Sequence, residues 1–405
     1  MVLFLHNRYR TTGGEERAVE DLLWLVREHL AEPADVLERT SEDLGRAQAA
    51  RALLSGGAEP RAVARAVRGS GARVVHAHNL HPRFGWRALA AARGAGARVV
   101  LHLHQYRLVC AIGVCFTRGR DCTRCHGRNT LPGVRLNCRS SRGEAVAYGA
   151  ALALWQRRLV AQADALVVPS AFARERLREL GAPLPWSRVH VLAPALRGFA
   201  PAATMAADQA PAAAVAPDQA TAGQATAREG GGYALVVSRL AREKGVDVAI
   251  QACRIAGMPL VIAGDGPERA ALAESVSGAD VRFAGRVADA ELARLRAGAS
   301  VALAPSRSAE TFGLAAAEAM AAGVPVAASR VGALPELVAE EGLVPAEDAG
   351  ALAAALTRLG ADATAGQRAR ERVRRLCAPE LVAQRLAAIY AGAPAVAASA
   401  EPARG

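Results

Sequence analysis

Short apolar runs alternate with longer stretches of helical periodicity through the first half of the chain. The runs Val2–Leu5, Val36–Leu37, Arg73–His76, Val99–Leu103, Leu166–Val168 and Val189–Leu192 are expected as buried strands, with Glu15–Leu30, Pro60–Arg68 and Phe84–Arg93 as helices between them. Strand and helix in alternation predict a parallel, Rossmann-like sheet. From Ala200 the composition shifts to alanine, proline, glutamine and glycine, with ADQA at Ala207 repeated as PDQA at Pro217. Such a segment builds no core, so 200–232 is expected as a flexible linker. The alternation then restarts, with strands expected at Ala234–Val237, Leu260–Ala263, Val281–Phe283, Val301–Leu303 and Pro325–Ala328. Helices are expected at Val246–Ile255, Ala288–Arg296, Thr311–Ala322 and Leu334–Val338. A second Rossmann-like domain follows, giving an α/β chain with domains over 1–199 and 233–378.

The stretch Pro305–Val324, PSRSAETFGLAAAEAMAAGV, concentrates candidate chemistry. Glu310 precedes an alanine-rich helix whose opening turn holds Gly313, and Glu318 lies along it. Eight residues of helix give about 12 Å of rise and about 80° of rotation past two turns, so the two carboxylates would bracket a ligand about as long as a nucleotide diphosphate sugar. The amides of Phe312, Gly313 and Leu314 at the helix start would meet a phosphate. Taken alone, the stretch also suits an amphipathic core helix with two solvated glutamates.

A length of 405 residues admits two domains, and 52% hydrophobic with 22% charged residues is a globular composition. The formal net charge of +12 calls for an anionic partner: nucleotide phosphates, a lipid phosphate, an anionic bilayer or nucleic acid. Of the 50 basic residues only Lys244 is a lysine, which suits a compact ammonium placed against a phosphate. The start MVLFLH lacks an apolar segment of signal length, and the longest apolar run, Ala145–Trp155, is too short to span a bilayer. The expected location is cytoplasmic, with reduced cysteines and, through the arginines beside that run, a candidate peripheral contact with the inner membrane face. A helix packed in the first domain is the plainer account of the same run.

In a parallel sheet, ligands sit beyond the carboxyl ends of the strands. The loop after the first strand, HNRYRTTGGEE, sets Gly13 and Gly14 directly before a helix, where backbone can approach a pyrophosphate. The third strand ends in His76, followed by His78 and Asn79, and the fourth runs into LHLHQYR with His104 at its tip. Each histidine also suits a satisfied polar group at a strand end. Five of the seven cysteines fall between Cys110 and Cys138. The CTRC pair Cys122 and Cys125 has the spacing of two thiolates on one zinc, which Cys110 and Cys138 would complete; Cys115 or His126 could replace one of them. Free thiols in a reduced compartment are the competing account, and nothing in the pattern suggests a catalytic metal.

The segments SRLAREKG from Ser238, GDGPE from Gly264, GR at Gly285, PSRSAETFGLAAAEAMAAGVPV from Pro305 and GALPELV from Gly332 resemble the second domain of retaining glycosyltransferases of family 4. GGEE, His104 and VVPSAF fit the first domain, and the resemblance spans nearly the whole chain except the linker and the last dozen residues. It implies the GT-B fold, two Rossmann-like domains facing across a cleft, with a C-terminal helix over 379–392 returning to the first domain and a disordered tail over 393–405. It further implies that Arg239 and Lys244 neutralise the diphosphate of a nucleotide-sugar donor, that Glu310 bonds the donor sugar beside Thr311, Phe312, Gly313 and Leu314, and that Glu318 takes the ribose hydroxyls. Gly13 and Gly14 would face the pyrophosphate, His104 the sugar near the reacting carbon, and Arg286 and Val287 the base. The acceptor would meet the first domain around His76–Phe84, His78 and Asn79 foremost, and the cysteine loop. Ser238 stands where the family usually has glycine.

The implied activity is a metal-independent, retaining transfer from a nucleotide diphosphate sugar, UDP-linked, to a hydroxyl acceptor in surface polysaccharide or glycolipid synthesis, with no catalytic cofactor. A natural-product or aminocyclitol transferase keeps the same chemistry with another acceptor. A basic, zinc-containing nucleic-acid-binding or scaffold protein is disfavoured, because aromatic residues are only 4% and are not interleaved with the basic ones.

Overall fold

The computed structural model describes residues 1–8, 14–199, 232–276 and 278–395. The expected linker, but for Gly232, and the expected tail, but for 393–395, lie outside the described residues, as does Gly13. Each expected strand and helix is present, most with ends moved by one to three residues. The chain divides into two units: Met1–Ala195 with Ala309–Phe312 and the residues from Glu380, and Leu196–Ser308 with Gly313–Pro379.

In chain order the first unit runs β1 (Val2–Arg8), α1 (Gly14–His29), β2 (Ala34–Thr40), α2 (Arg46–Ser55), α3 (Pro60–Ser70), β3 (Val74–Ala77), α4 (Gly85–Gly94) and β4 (Arg98–His102). It continues with the short β5 (Phe116–Thr117) and β6 (Arg120–Asp121), α5 (Leu131–Arg135), α6 (Arg142–Ala161), β7 (Ala165–Val168), α7 (Ala171–Glu179) and β8 (Val189–Val191). Its six-stranded sheet has the order β2-β1-β3-β4-β7-β8 with every pairing parallel. Phe4, Leu5, Val75, Val99 and Leu166 are fully buried, as strands covered by helices on both faces require. The apolar run at 145–155 forms the middle of α6, capped at its start by Ser141 and burying Ala145, Ala151 and Leu152. Among the described residues no helix is long and apolar enough to cross a membrane.

The second unit runs β9 (Tyr233–Val237), α8 (Val246–Ala256), β10 (Leu260–Ala263), α9 (Arg269–Glu274), β11 (Val281–Gly285), α10 (Asp289–Ala297), β12 (Ala299–Ala304) and α11 (Leu314–Ala321). Then come β13 (Val326–Ser329), α12 (Leu334–Leu337), β14 (Leu343–Val344), α13 (Ala349–Ala361) and α14 (Ala365–Cys377). The sheet order is β11-β10-β9-β12-β13-β14, again all parallel. The last helix, α15 (Pro379–Ala391), buries Val382, Leu386 and Tyr390, and the Tyr390 hydroxyl bonds His76 Nδ1 at 2.8 Å inside the first unit.

Strand order sets where each unit can hold a ligand. In the second sheet the chain moves outward from β9 to β10 and β11, then returns to β12 on the other side of β9. The crevice between the carboxyl ends of β9 and β12 is therefore that sheet's topological switch point, and the first sheet has its own between β1 and β3.

Candidate active site

At the β9–β12 switch point the chain delivers two loops. The first, from Ser238, carries Arg239 and leads through a single 3-10 turn, Arg242–Lys244, into α8. Its position is fixed by backbone. Leu240 N–H donates to Asp265 O at 3.0 Å, Glu268 N–H donates to Leu240 O at 3.0 Å, and Gly264 presses so close that a Cβ there would stand 1.8 Å from Ser238 O. The second loop follows β12, and the amides of Arg307 and Ser308 donate to Glu243 O at 2.8 and 3.2 Å. Gly245 closes the stitch: its φ is 63° and a Cβ would lie 2.1 Å from Pro305 O. Arg239 and Lys244, the two candidate phosphate cations, thus stand on a braced turn rather than on a loose loop. The Arg239 guanidinium is half-exposed and pairs with Glu243.

The helix after the second loop starts later than expected, at Leu314 instead of Thr311. Gly313 at φ 96° turns the chain just before it; Glu310 precedes the helix as expected, but with the residues up to Gly313 outside it the helical spacing of Glu310 and Glu318 does not hold. The first bond into the helix is Ala317 N–H to Gly313 O at 3.0 Å, leaving the amides of Leu314, Ala315 and Ala316 without intrahelical partners. The amides that open the helix are thus those of Leu314 and the two residues after it, while Phe312, before it, is buried. One turn further on, Glu318 forms an ion pair with Arg296 of α10, and both side chains are largely buried. Arg286 and Val287 follow β11 directly, where Gly285 at φ 67° accepts the Gly264 N–H at 2.7 Å.

Glu310 is held through its neighbours. Within the first unit the buried Tyr106 hydroxyl donates to Ala309 O at 3.2 Å and Ser170 Oγ donates to Thr311 O at 2.6 Å, fixing the carbonyls on either side of Glu310. Burial raises the Tyr106 pKa far above the phenol range, so it stays a donor. No sequence pattern assigned these contacts to Tyr106, Ser170 or Arg296: Ser170 stood only as part of the motif VVPSAF, and the Arg296–Glu318 pair joins residues on separate elements.

In the first unit, Gly14 is the exposed first residue of α1, and the next residue, Glu15, accepts from Gln105 Nε2 at 2.8 Å, tying that helix start to the loop holding His104. His104 Nε2 meets His78 Nδ1 at 2.7 Å. His78 and Asn79, expected at an acceptor surface, are both buried, as is most of His76–Phe84. Asn79 Nδ2 is used on Asn7 O, and His78 is enclosed by β1 and β4. His76, His78, His102 and His104 form a ladder of imidazoles with centroids 4.0–5.4 Å apart. Burial lowers the pKa of all four, that of His76 to about 3; for His104 the charges of Glu15 and Glu16 oppose the shift.

Two donor clusters bear on metal binding. Nitrogens of His76, His78 and His102 lie within 4.8 Å of one another. Their rings, however, are stacked or tilted by only 10–33°, so their lone pairs run nearly side by side instead of converging on one ion. Cys110, Cys122, Cys125 and Cys138 line one pocket together with Cys115, but among the described residues they do not form a group of three donor atoms within 4.8 Å. The expected tetrahedron is therefore not preassembled among the described residues.

The sequence profile of a family described as Glycosyl transferase 4-like domain matches residues 11–195, and that described as Glycosyl transferases group 1 matches residues 231–362. A GDP-mannose-dependent alpha-(1-6)-phosphatidylinositol dimannoside mannosyltransferase of Mycobacterium tuberculosis is 45% identical over 106 residues, covering 25% of this chain and 28% of that protein. The match thus spans little more than a quarter of the relative's length. Among solved structures, sucrose-phosphate synthase of Thermosynechococcus elongatus superposes with a TM-score of 0.66 at 20% identity, over 96% of this chain and 98% of that one. HepE of Anabaena, solved with UDP and glucose, gives 0.61 at 17% identity, over 95% and 98%.

Proposed function

The chain belongs to the group 1, family-4-like glycosyltransferases of the GT-B fold, and from that premise we propose that it transfers a sugar from a nucleotide diphosphate sugar, UDP-linked, to a hydroxyl acceptor with retention of configuration. The observation that supports this reading is the switch-point crevice of the second unit, whose two loops carry Arg239, Lys244 and the amides opening α11. A diphosphate there gains most as its bond to the sugar breaks, since charge then grows on the leaving oxygen. The acceptor hydroxyl oxygen bonds the anomeric carbon, the bond to the β-phosphate breaks, and the hydroxyl proton passes to the departing phosphate oxygen. Arg239, Lys244 and the helix start take the part that a divalent ion plays in other transferases. Glu310 bonds the sugar hydroxyls, Glu318 the ribose and the backbone of Arg286 and Val287 the base.

The donor nucleotide is the point on which two readings differ. HepE is described with UDP, and the mannosyltransferase is by name GDP-mannose-dependent, so GDP-mannose is the second reading. Thermal shift with UDP-, GDP- and ADP-sugars decides it without added metal. A rise in Tm with UDP-sugars alone supports the first reading, a rise with GDP-mannose alone replaces it by the second, and no response to any counts against a nucleotide-sugar donor.

A further inference from the structure

We propose that Cys110, Cys122, Cys125 and Cys138 bind one zinc ion as a structural tetrathiolate that pins the long insertion between β4 and α6. The insertion, residues 103–141, has little regular structure to hold it: two strands of two residues each and the five-residue α5. A segment of that length and irregularity needs another source of order within a packed domain. Yet it is folded to one purpose. Cys110 comes from the turn after Tyr106, the CTRC knuckle from the exit of the β5–β6 hairpin, and Cys138 from the turn after α5, and all three approaches end on the same pocket. The remaining lining is apolar, with Ala111, Ile112, Phe116 and Leu136 excluding water from it.

Spacing leaves two alternatives open. Cys115 is 1% exposed and its thiol lies in hydrogen-bond contact with that of Cys110, a more deeply buried neighbour of the ligand set, whereas the other four are only partly buried. His126 does not line the pocket; its ring packs against Gly181, where a Cβ would stand 2.4 Å from it, and its backbone pairs with Asn129. Binding replaces four S–H protons, released to solvent, by four zinc–sulfur bonds, and leaves the site with two negative charges. Arg118, Arg120, Arg124 and Arg135 on the same insertion offset that charge, and Arg124 lines the pocket itself. Because the thiols are further apart than bound ligands, the ion draws them together by side-chain rotation, so order in the insertion depends on it.

Metal analysis of the full chain, purified without chelators, tests the site. The expected result is equimolar zinc, lost in the Cys122→Ser/Cys125→Ser double variant and retained in Cys115→Ala. Should the double variant fail to fold, the wild-type chain gives the same answer: titration with an organic mercurial should release one zinc per chain, read with a metallochromic dye, as four thiols are converted to mercaptides. Absence of zinc after refolding with zinc chloride overturns the proposal. Iron in place of zinc, with visible absorption of a cluster, overturns the assignment of the ion, and loss of zinc in Cys115→Ala with retention in the double variant overturns the ligand set.

Discussion

Removing the Arg239 guanidinium takes away one of the two cations proposed to hold the diphosphate while touching little else, since the side chain is half-exposed and its salt bridge with Glu243 is a surface one. Arg239→Ala should therefore lower kcat by about 10²- to 10³-fold, as loss of one preorganised charge stabiliser does, with stability changed by no more than about 0.5 kcal/mol. Lys244→Ala and Glu310→Gln should behave alike in steady-state assays, and normal turnover in all three would reject the assigned roles. Arg296 makes a different prediction. It touches no reacting atom in this assignment and instead fixes Glu318, so Arg296→Met should raise the donor KM about tenfold, the worth of one charged hydrogen bond, with a smaller change in kcat. Arg296→Lys should recover part of that loss. A fall in Tm with an unchanged KM would assign Arg296 to stability alone.

At the scale of elements, the start of α11 depends on one glycine. Gly313 has φ 96°, and a Cβ there would stand 2.7 Å from Leu334 Cδ2 of α12. Gly313→Ala should cost about 1–3 kcal/mol in urea unfolding and weaken donor binding, because the amides of Leu314–Ala316 would be re-aimed. Adding Leu334→Ala removes the clash but not the backbone strain, so donor affinity should stay low in the double variant; recovery there would make the clash the whole cause. Gly313 also shows where the sequence stops being informative. An alanine-rich run after Thr311 has helical composition from its first residue, and only tertiary contact reveals that the helix waits for Leu314. Strands such as Leu260–Ala263 were legible because a parallel sheet covered on both faces demands continuous apolar runs. The hairpin at 116–121 was not, since two-residue strands carry no period. His78 and Asn79 looked like strand-end ligand groups, but their burial comes from β1 and β4 on either side. The cationic residues and Glu310 were legible as an ordered set of motifs, whereas Tyr106, Ser170 and Arg296 act across distances that no local pattern encodes.

For the whole molecule, all nine histidines lie in the first unit and none in the second, so mild acid acts on one unit and spares the other. His76, His78 and His102 are buried with ring nitrogens left unpartnered, and burial also lowers the pKa of His81, to about 4. A histidine whose folded pKa is depressed stays neutral in the fold but takes a proton once unfolded. Its contribution is complete above the unfolded value of about 6.5 and is lost as pH falls below it, at about 1.4 kcal/mol per pH unit until the folded pKa is reached. Four such groups amount to about 6 kcal/mol one unit below 6.5, comparable with the stability of a typical domain. Carboxylates with depressed pKa values, Glu32 and Glu59 in the first unit and Asp247 in the second, follow the opposite rule. Their contribution persists down to the unfolded values of about 4.5 and 3.8 and does not enter this window. Between pH 7.5 and 5.5, hydrogen exchange should therefore show β1, β3 and β4 losing protection while β9, β10 and β12 keep theirs, and calorimetry should resolve a transition that moves with pH from one that does not. Equal loss of protection in both sheets would mean that the two units unfold as one cooperative body, so that imidazoles confined to one of them govern the stability of both.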